Sequence, residues 1–182
     1  MSERVFEGAV TLRQMPLRGM ITLKGDLKSA QVKEAAVVAT DVAFPKRGTA
    51  NCSREHGVAW MAPDELLILC PHGEVDKELA RMRAALSGVH HLLQDVSDAR
   101  VIFRLEGSEM RDVLAKVCPV DLRPAAFDVG KFRRTRIAQV PCAFWFRGAD
   151  WAELIAFRSV QDYVWSVLAN AASSDARVGH FS

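Results

Sequence analysis

A chain of 182 residues, 49% of them hydrophobic and 25% charged, has the size and composition of one globular domain or of two small halves. Its net charge of +2 supplies no general pull toward nucleic acid or an anionic membrane surface. The four cysteines, Cys52, Cys70, Cys118 and Cys142, lie far apart with no C-x-x-C pair, which argues against a closed zinc site. No apolar run approaches the roughly 18 residues of a membrane span. The opening MSERVFEGAVTLRQ carries charges where a signal peptide has its apolar centre, so a cytoplasmic protein with reduced thiols is expected.

Residues 1–18 show no sustained period and read as an irregular N-terminal arm. GMITLKG (19–25) alternates and ends on glycine, which predicts a strand. Ser29 is placed to cap a helix whose apolar face is Val32, Ala35, Ala36 and Ala39, with Phe44-Pro45 stopping it. Strands are predicted over parts of 48–61 and over ELLILC (65–70). Val75, Leu79, Met82 and Leu86 then recur on one helix face, which Gly88 ends. VIFRLEG (101–107) is again a strand running into glycine. Met110, Val113, Leu114 and Val117 stripe the next helix, closed by Pro119. Strands near 132–138, 140–146 and 152–158 precede a last helix lined by Val160, Val164, Val167, Leu168 and Ala171. Ser159 with Asp162 resembles a capping box at its start.

Two segments, 64–86 and 152–172, share an apolar strand opened by glutamate, a short turn and a helix, with Glu65 and Glu153 in matching positions. The expectation is an α+β protein with two pseudo-repeated strand–helix–strands–strand–helix halves, their helices packed on largely antiparallel sheet. The halves are assigned to 19–97 and 98–172, with 173–182 as a C-terminal tail.

Residue chemistry offers no catalytic, cofactor-binding or metal set. Cys118 sits at the carbonyl end of its helix, where the dipole disfavours a thiolate, so a buried structural thiol is favoured over a nucleophile. Cys70 and Cys142 interrupt apolar strands and read the same way, whereas Cys52 lies in a polar stretch. The five histidines show no ligand spacing, and neighbours such as His90 and His91 would point to opposite faces if they lay on a strand, so they would not share a metal. Glycine-rich phosphate loops and the G-x-S-x-G elbow are absent. The densest charge, GKFRRTRI (130–137), puts Arg134 and Arg136 on one strand face and Arg133 on the other. A solvated face or a contact to an acidic partner subunit is favoured there over RNA. Trp151, just after a turn, joins Arg133, Arg134 and Arg136 as the candidate partner interface.

WMAPDELLIL (60–69), DVSDARVIFRLEG (95–107), VLAKVCPVDLRPAAF (113–127) and FRSVQDYVWSVL (157–168) resemble the gamma subunit of heterotetrameric sarcosine oxidase. The likeness runs over roughly residues 19–172, and its more specific strings are Cys-Pro-x-Asp-Leu at 118–122 and Trp-x-x-Pro-Asp-Glu at 60–65. The resemblance implies alpha, beta and delta subunits as partners and oxidative demethylation of sarcosine to glycine, with tetrahydrofolate taking the one-carbon unit. It implies FAD, FMN, NAD, tetrahydrofolate and zinc in those partner chains and none in this one. It also implies the folate-binding fold of the glycine-cleavage aminomethyltransferase. A non-catalytic structural gamma subunit is therefore the leading expectation. The alternative is a stand-alone folate-binding protein of that fold, with Asp64 or Glu153 and a nearby arginine serving the pterin and its tail.

Overall fold

The computed structural model describes residues 4–181. In chain order the strands and helices are β1 (Arg4–Glu7), β2 (Thr11–Gln14), β3 (Arg18–Gly25), α1 (Ala30–Thr40), β4 (Ala50–Ser53) and β5 (His56–Ala62). Then come β6 (Glu65–Pro71), α2 (Val75–Ala85), β7 (His91–Asp95), β8 (Arg100–Glu106) and α3 (Met110–Val117). The last are β9 (Phe132–Ile137), β10 (Val140–Gly148), β11 (Trp151–Phe157) and α4 (Gln161–Ala172). The chain forms two compact units: Leu17–Asp98, and the residues up to Pro16 together with those from Ala99 onward. Every strand pairing is antiparallel, so the expected α+β class with helices on antiparallel sheet is what forms.

In the unit Leu17–Asp98 the sheet order is β4-β5-β6-β3-β7. Alternation sends Ile21, Leu23, Val58, Leu66 and Ile68 to one face, where they form a core with Val32, Ala35, Ala36 and Ala39 of α1 and with Val75, Leu79 and Met82 of α2. Each of the larger aliphatics stabilises the fold by about 1.5–3 kcal/mol through burial. Helix α1 ends at Asp41, which adopts φ 53° and donates its N–H to the Val37 carbonyl at 2.8 Å, ahead of the expected stop at Phe44-Pro45. A left-handed residue that satisfies the last carbonyls ends the helix before the proline has any effect. Ser29 stands at the N-cap as expected, but its hydroxyl makes no capping bond; the turn before it is held by Asp26, whose carboxylate accepts the Lys28 N–H at 2.9 Å. Strand β7 was not foreseen, because HLLQD is a partly exposed edge strand with no clean alternation.

In the other unit the order is β1-β2-β8-β11-β10-β9. Phe103, Leu105, Leu154, Phe144 and Phe146 share the face covered by Val113 and Leu114 of α3 and by Val164 and Leu168 of α4. The expected irregular arm over residues 1–18 is corrected here, with Met1–Glu3 outside the described residues. Strand β2 pairs with β8 over four residues, Val10 and Leu12 are buried, and the Ala9 N–H bonds the Ala172 carbonyl at 2.7 Å. The expected capping box is also corrected. A 3-10 turn, Arg158–Val160, precedes α4, Ser159 makes no cap, and Asp162 instead takes Arg4 at 2.6 Å. In the expected tail, Ser174–Ala176 forms one 3-10 turn and the buried Asp112 accepts the N–H groups of His180 and Phe181 at 3.0 and 3.2 Å. Ser182 lies outside the described residues.

The two repeats are β3-α1-β4-β5-β6-α2 and β8-α3-β9-β10-β11-α4, with identical strand order, β4-β5-β6-β3 and β9-β10-β11-β8. Each sheet carries an added strand beside the first strand of its repeat, β7 in one and β2 in the other, where β1 extends it further, and β7 and β2 are exchanged. Strand β7 leads into β8 along the chain yet pairs with β3, and β2 leads into β3 yet pairs with β8.

Candidate functional site

Cys118 caps the C-terminus of α3, donating its N–H to the Leu114 carbonyl at 2.9 Å, and is buried in the core beside Cys142. The Cys142 thiol is held well above the ordinary cysteine range, first by its hydrogen bond with Cys118 and then by burial. Burial pushes the Cys70 thiol up to about 11, with Glu78 and Glu74 adding to the effect and outweighing Arg18. All three are thiols packed as small apolar groups, and the shifts of Cys142 and Cys70 are opposite to those of reactive cysteines. Cys52 is half-buried.

The Cys-Pro-x-Asp-Leu string has a structural reason in this fold. Arg111 Nη1 donates to the carbonyls of Leu122 and Phe127, both at 2.7 Å, and its guanidinium lies 4.7 Å from the Phe146 ring centroid. The loop is thereby pinned with Leu122 and Phe127 in the core. Asp121 grips Arg123 through Nη2 at 2.6 Å, and that hydrogen-bonded pairing holds its carboxyl down at about 2. Arg111 was missed in the sequence because its partners lie beyond its own helix.

On the opposite face of the same sheet, one cross-strand row reads Phe132, Trp145, Glu153, Arg104, Arg13. Glu153 is fully buried. Its Oε2 accepts from Arg147 Nη1 at 2.9 Å and its Oε1 from Arg104 Nη2 at 3.4 Å. Arg104 also reaches Glu106 at 3.7 Å, and Arg13 Nε donates to Glu106 at 3.3 Å. A carboxylate removed from water needs this compensation. Both oxygens of Glu153 are engaged, which works against its use for a pterin. Asp64, the other carboxylate considered, is exposed.

Trp151 is half-buried, with the guanidiniums of Arg104 and Arg147 at 4.8 and 5.0 Å from its ring centroid. It therefore belongs to the Glu153 cluster. Arg133, Arg134 and Arg136 are exposed on β9, the edge strand. Arg134 and Arg136 oppose Ala143 and Pro141, while Arg133 opposes Phe144 on the other face. Trp151 opposes Gly148 of β10, five residues beyond Ala143, or about 17 Å along the strand. The structure does not bring Trp151 and the β9 arginines into one cluster.

His56 Nε2 approaches Glu74 at 3.5 Å and His91 Nδ1 the Val89 carbonyl at 2.8 Å. Among the described residues, no three or more His, Cys, Asp or Glu converge as metal ligands. No helix of the described residues is long and apolar enough to cross a membrane.

Residues 24–174 match the sarcosine oxidase gamma subunit family. The chain is 32% identical over 143 residues to the sarcosine oxidase subunit gamma of Arthrobacter sp, covering 78% of this chain and 69% of the relative. It is 31% identical over 144 residues to the same subunit of Corynebacterium sp. (strain U-96), with the same coverage of both. Among solved structures it superposes on a chain of heterotetrameric sarcosine oxidase from Corynebacterium sp. U-96, solved in complex with pyrrole 2-carboxylate. The TM-score is 0.84 at 26% identity, covering 96% of this chain and 90% of that one. Glycine cleavage system aminomethyltransferase T from Bartonella henselae shares the fold, at TM-score 0.61 and 14% identity over 85% of this chain and 44% of that one. Together these matches establish that the chain belongs to the sarcosine oxidase gamma subunit family.

Proposed function

We propose that this chain is the non-catalytic structural gamma subunit of a heterotetrameric, flavin-dependent sarcosine oxidase. The observation that carries this reading is the superposition, over 96% of the chain, on a chain of such a heterotetramer. Its partners are the alpha, beta and delta subunits. In this reading FAD, FMN, NAD, tetrahydrofolate and zinc reside in those chains, and the cytoplasmic complex demethylates sarcosine oxidatively to glycine while tetrahydrofolate takes the one-carbon unit. Arg133, Arg134 and Arg136 on the β9 edge and Trp151 with its flanking guanidiniums supply contact surface. Arginine and tryptophan are the side chains that most often anchor interfaces. The stand-alone folate reading loses support because Glu153 is committed to Arg104 and Arg147.

Affinity capture of the chain from its native cell extract tests the assignment. Co-elution with larger chains, a flavin absorption spectrum and sarcosine-dependent peroxide formation are the expected results. A colourless protein recovered alone would overturn it. Charge reversal by Arg134→Glu with Arg136→Glu is expected to weaken co-purification, and unchanged recovery of the partners would remove the arginines from the interface.

A further inference from the structure

Within the unit Leu17–Asp98 a cavity of about 350 Å³ is lined by residues of α1, of the loop before β4 and of the β5–β6 region. The half-buried rings of Phe44 and Trp60 form apolar walls. Lys28, Lys33 and Arg47 also line it, are exposed, and have no ion-pair partner among the described residues. No carboxylate is among the lining residues. Lys33 Nζ stands 5.8 Å from the Phe44 ring centroid and Arg47 Cζ 5.7 Å from that of Trp60.

The backbone behind these groups is fixed. Asn51 Nδ2 donates to the Ala43 carbonyl at 2.9 Å, and the Thr49 hydroxyl to that of Lys46 at 2.8 Å. The Trp60 N–H bonds the Thr49 carbonyl at 3.0 Å, and the Gly25 N–H bonds that of Asp64 at 3.0 Å, steadying the turn that carries Pro63. The cations are thus presented from a built frame, and each ring-facing cation keeps N–H donors for a carboxylate.

We infer that this cavity receives an acidic, extended segment of a partner subunit, with carboxylates against Lys33 and Arg47 and an apolar side chain on the rings. Three uncompensated cations select for negative charge. The exposed Lys28, Arg47 and Pro63 leave the site open on one side, the form of a peptide groove; a small-ligand pocket buries most of its occupant. Pro45 and Pro63 have no N–H to offer a pairing strand, so recognition falls to side chains. The inference rests on the assembly reading above and adds to it a surface on the unit Leu17–Asp98.

The test uses the full chain in its assembled complex. A photoreactive benzoylphenylalanine replacing Lys28 is expected to cross-link to an acidic stretch of another subunit, located by mass spectrometry. Lys33→Glu with Arg47→Glu is expected to weaken partner binding by about tenfold or more, with a difference from wild type that shrinks at high salt. Assembly at unchanged affinity, or cross-links only to non-acidic segments, would overturn the inference while leaving the subunit assignment intact. Stoichiometric heat on titrating the isolated chain with glutarate would overturn it in favour of a small dicarboxylate. Failure of the wild-type chain to assemble at all would remove the assembly reading, and this one with it. Should the double charge reversal misfold, the cross-link from the otherwise wild-type chain decides alone.

Discussion

Glu153 carries the sharpest expectation for a single side chain. It is fully buried and held by two guanidiniums, so truncation leaves Arg104 and Arg147 beside the Trp151 ring without the carboxylate they share. Breaking a buried pair from one side costs about 3–5 kcal/mol. Glu153→Ala should lower the unfolding free energy by about that amount in denaturant titrations. Glu153 could be singled out in the sequence as the counterpart of Glu65, but Arg104 lies 49 residues away and only the strand register brings it alongside. Cys70 gives the matching expectation for pH. Its thiol rises from the ordinary 9.0 to about 11, so the folded protein holds that proton more tightly than the unfolded chain. The contribution is complete below pH 9 and is lost as pH rises through about 11. Denaturation midpoints should fall over that window, and Cys70→Ala should flatten that part of the curve.

Among the elements, the helices were the most legible because a 3.6-residue apolar stripe is a local signal: Val75, Leu79 and Met82 needed no knowledge of their partners. The short strands were not. TLRQ holds one apolar residue, Leu12, and becomes a strand through pairing with β1 and with β8, which is far away in sequence. The same holds for the start of α4, where a capping-box pattern is present but Arg4 takes Asp162 from across the chain. Removing residues 1–16 therefore does more than trim an end. It strips the edge of β8 and uncovers core contacts of the buried Val10 and Leu12, whose burial contributes together at least about 3 kcal/mol. The truncated chain should unfold at lower denaturant and, with an open strand edge, self-associate in light scattering.

For the whole molecule, class and repeat were readable while the clustering of charge was only partly so. A net charge of +2 conceals concentrations of positive charge on β9 and around the Phe44–Trp60 cavity, because a sum carries no information about position. The clustered β9 arginines were visible within one run of four residues, 133–136. Lys28, Lys33, Arg47 and Trp60 come from separate elements and share a wall only after the sheet has formed. Likewise the two repeats were visible as similar strings, whereas the exchange of β2 and β7 was not, since each pairs with a strand that is not its chain neighbour in the repeat.

That exchange sets an order of events during synthesis. Every strand of the Leu17–Asp98 sheet is translated before β8, so this sheet needs no strand made after it in order to close. Strand β2 is translated nearly half a chain ahead of β8, a wait of roughly 5–20 s at ordinary elongation rates. Through that interval β1 and β2 form at most a marginal two-stranded hairpin with Leu12 exposed. Until β8 follows, β1 and β2 lack the strand they pair with, although in the finished protein they are an integral part of a sheet.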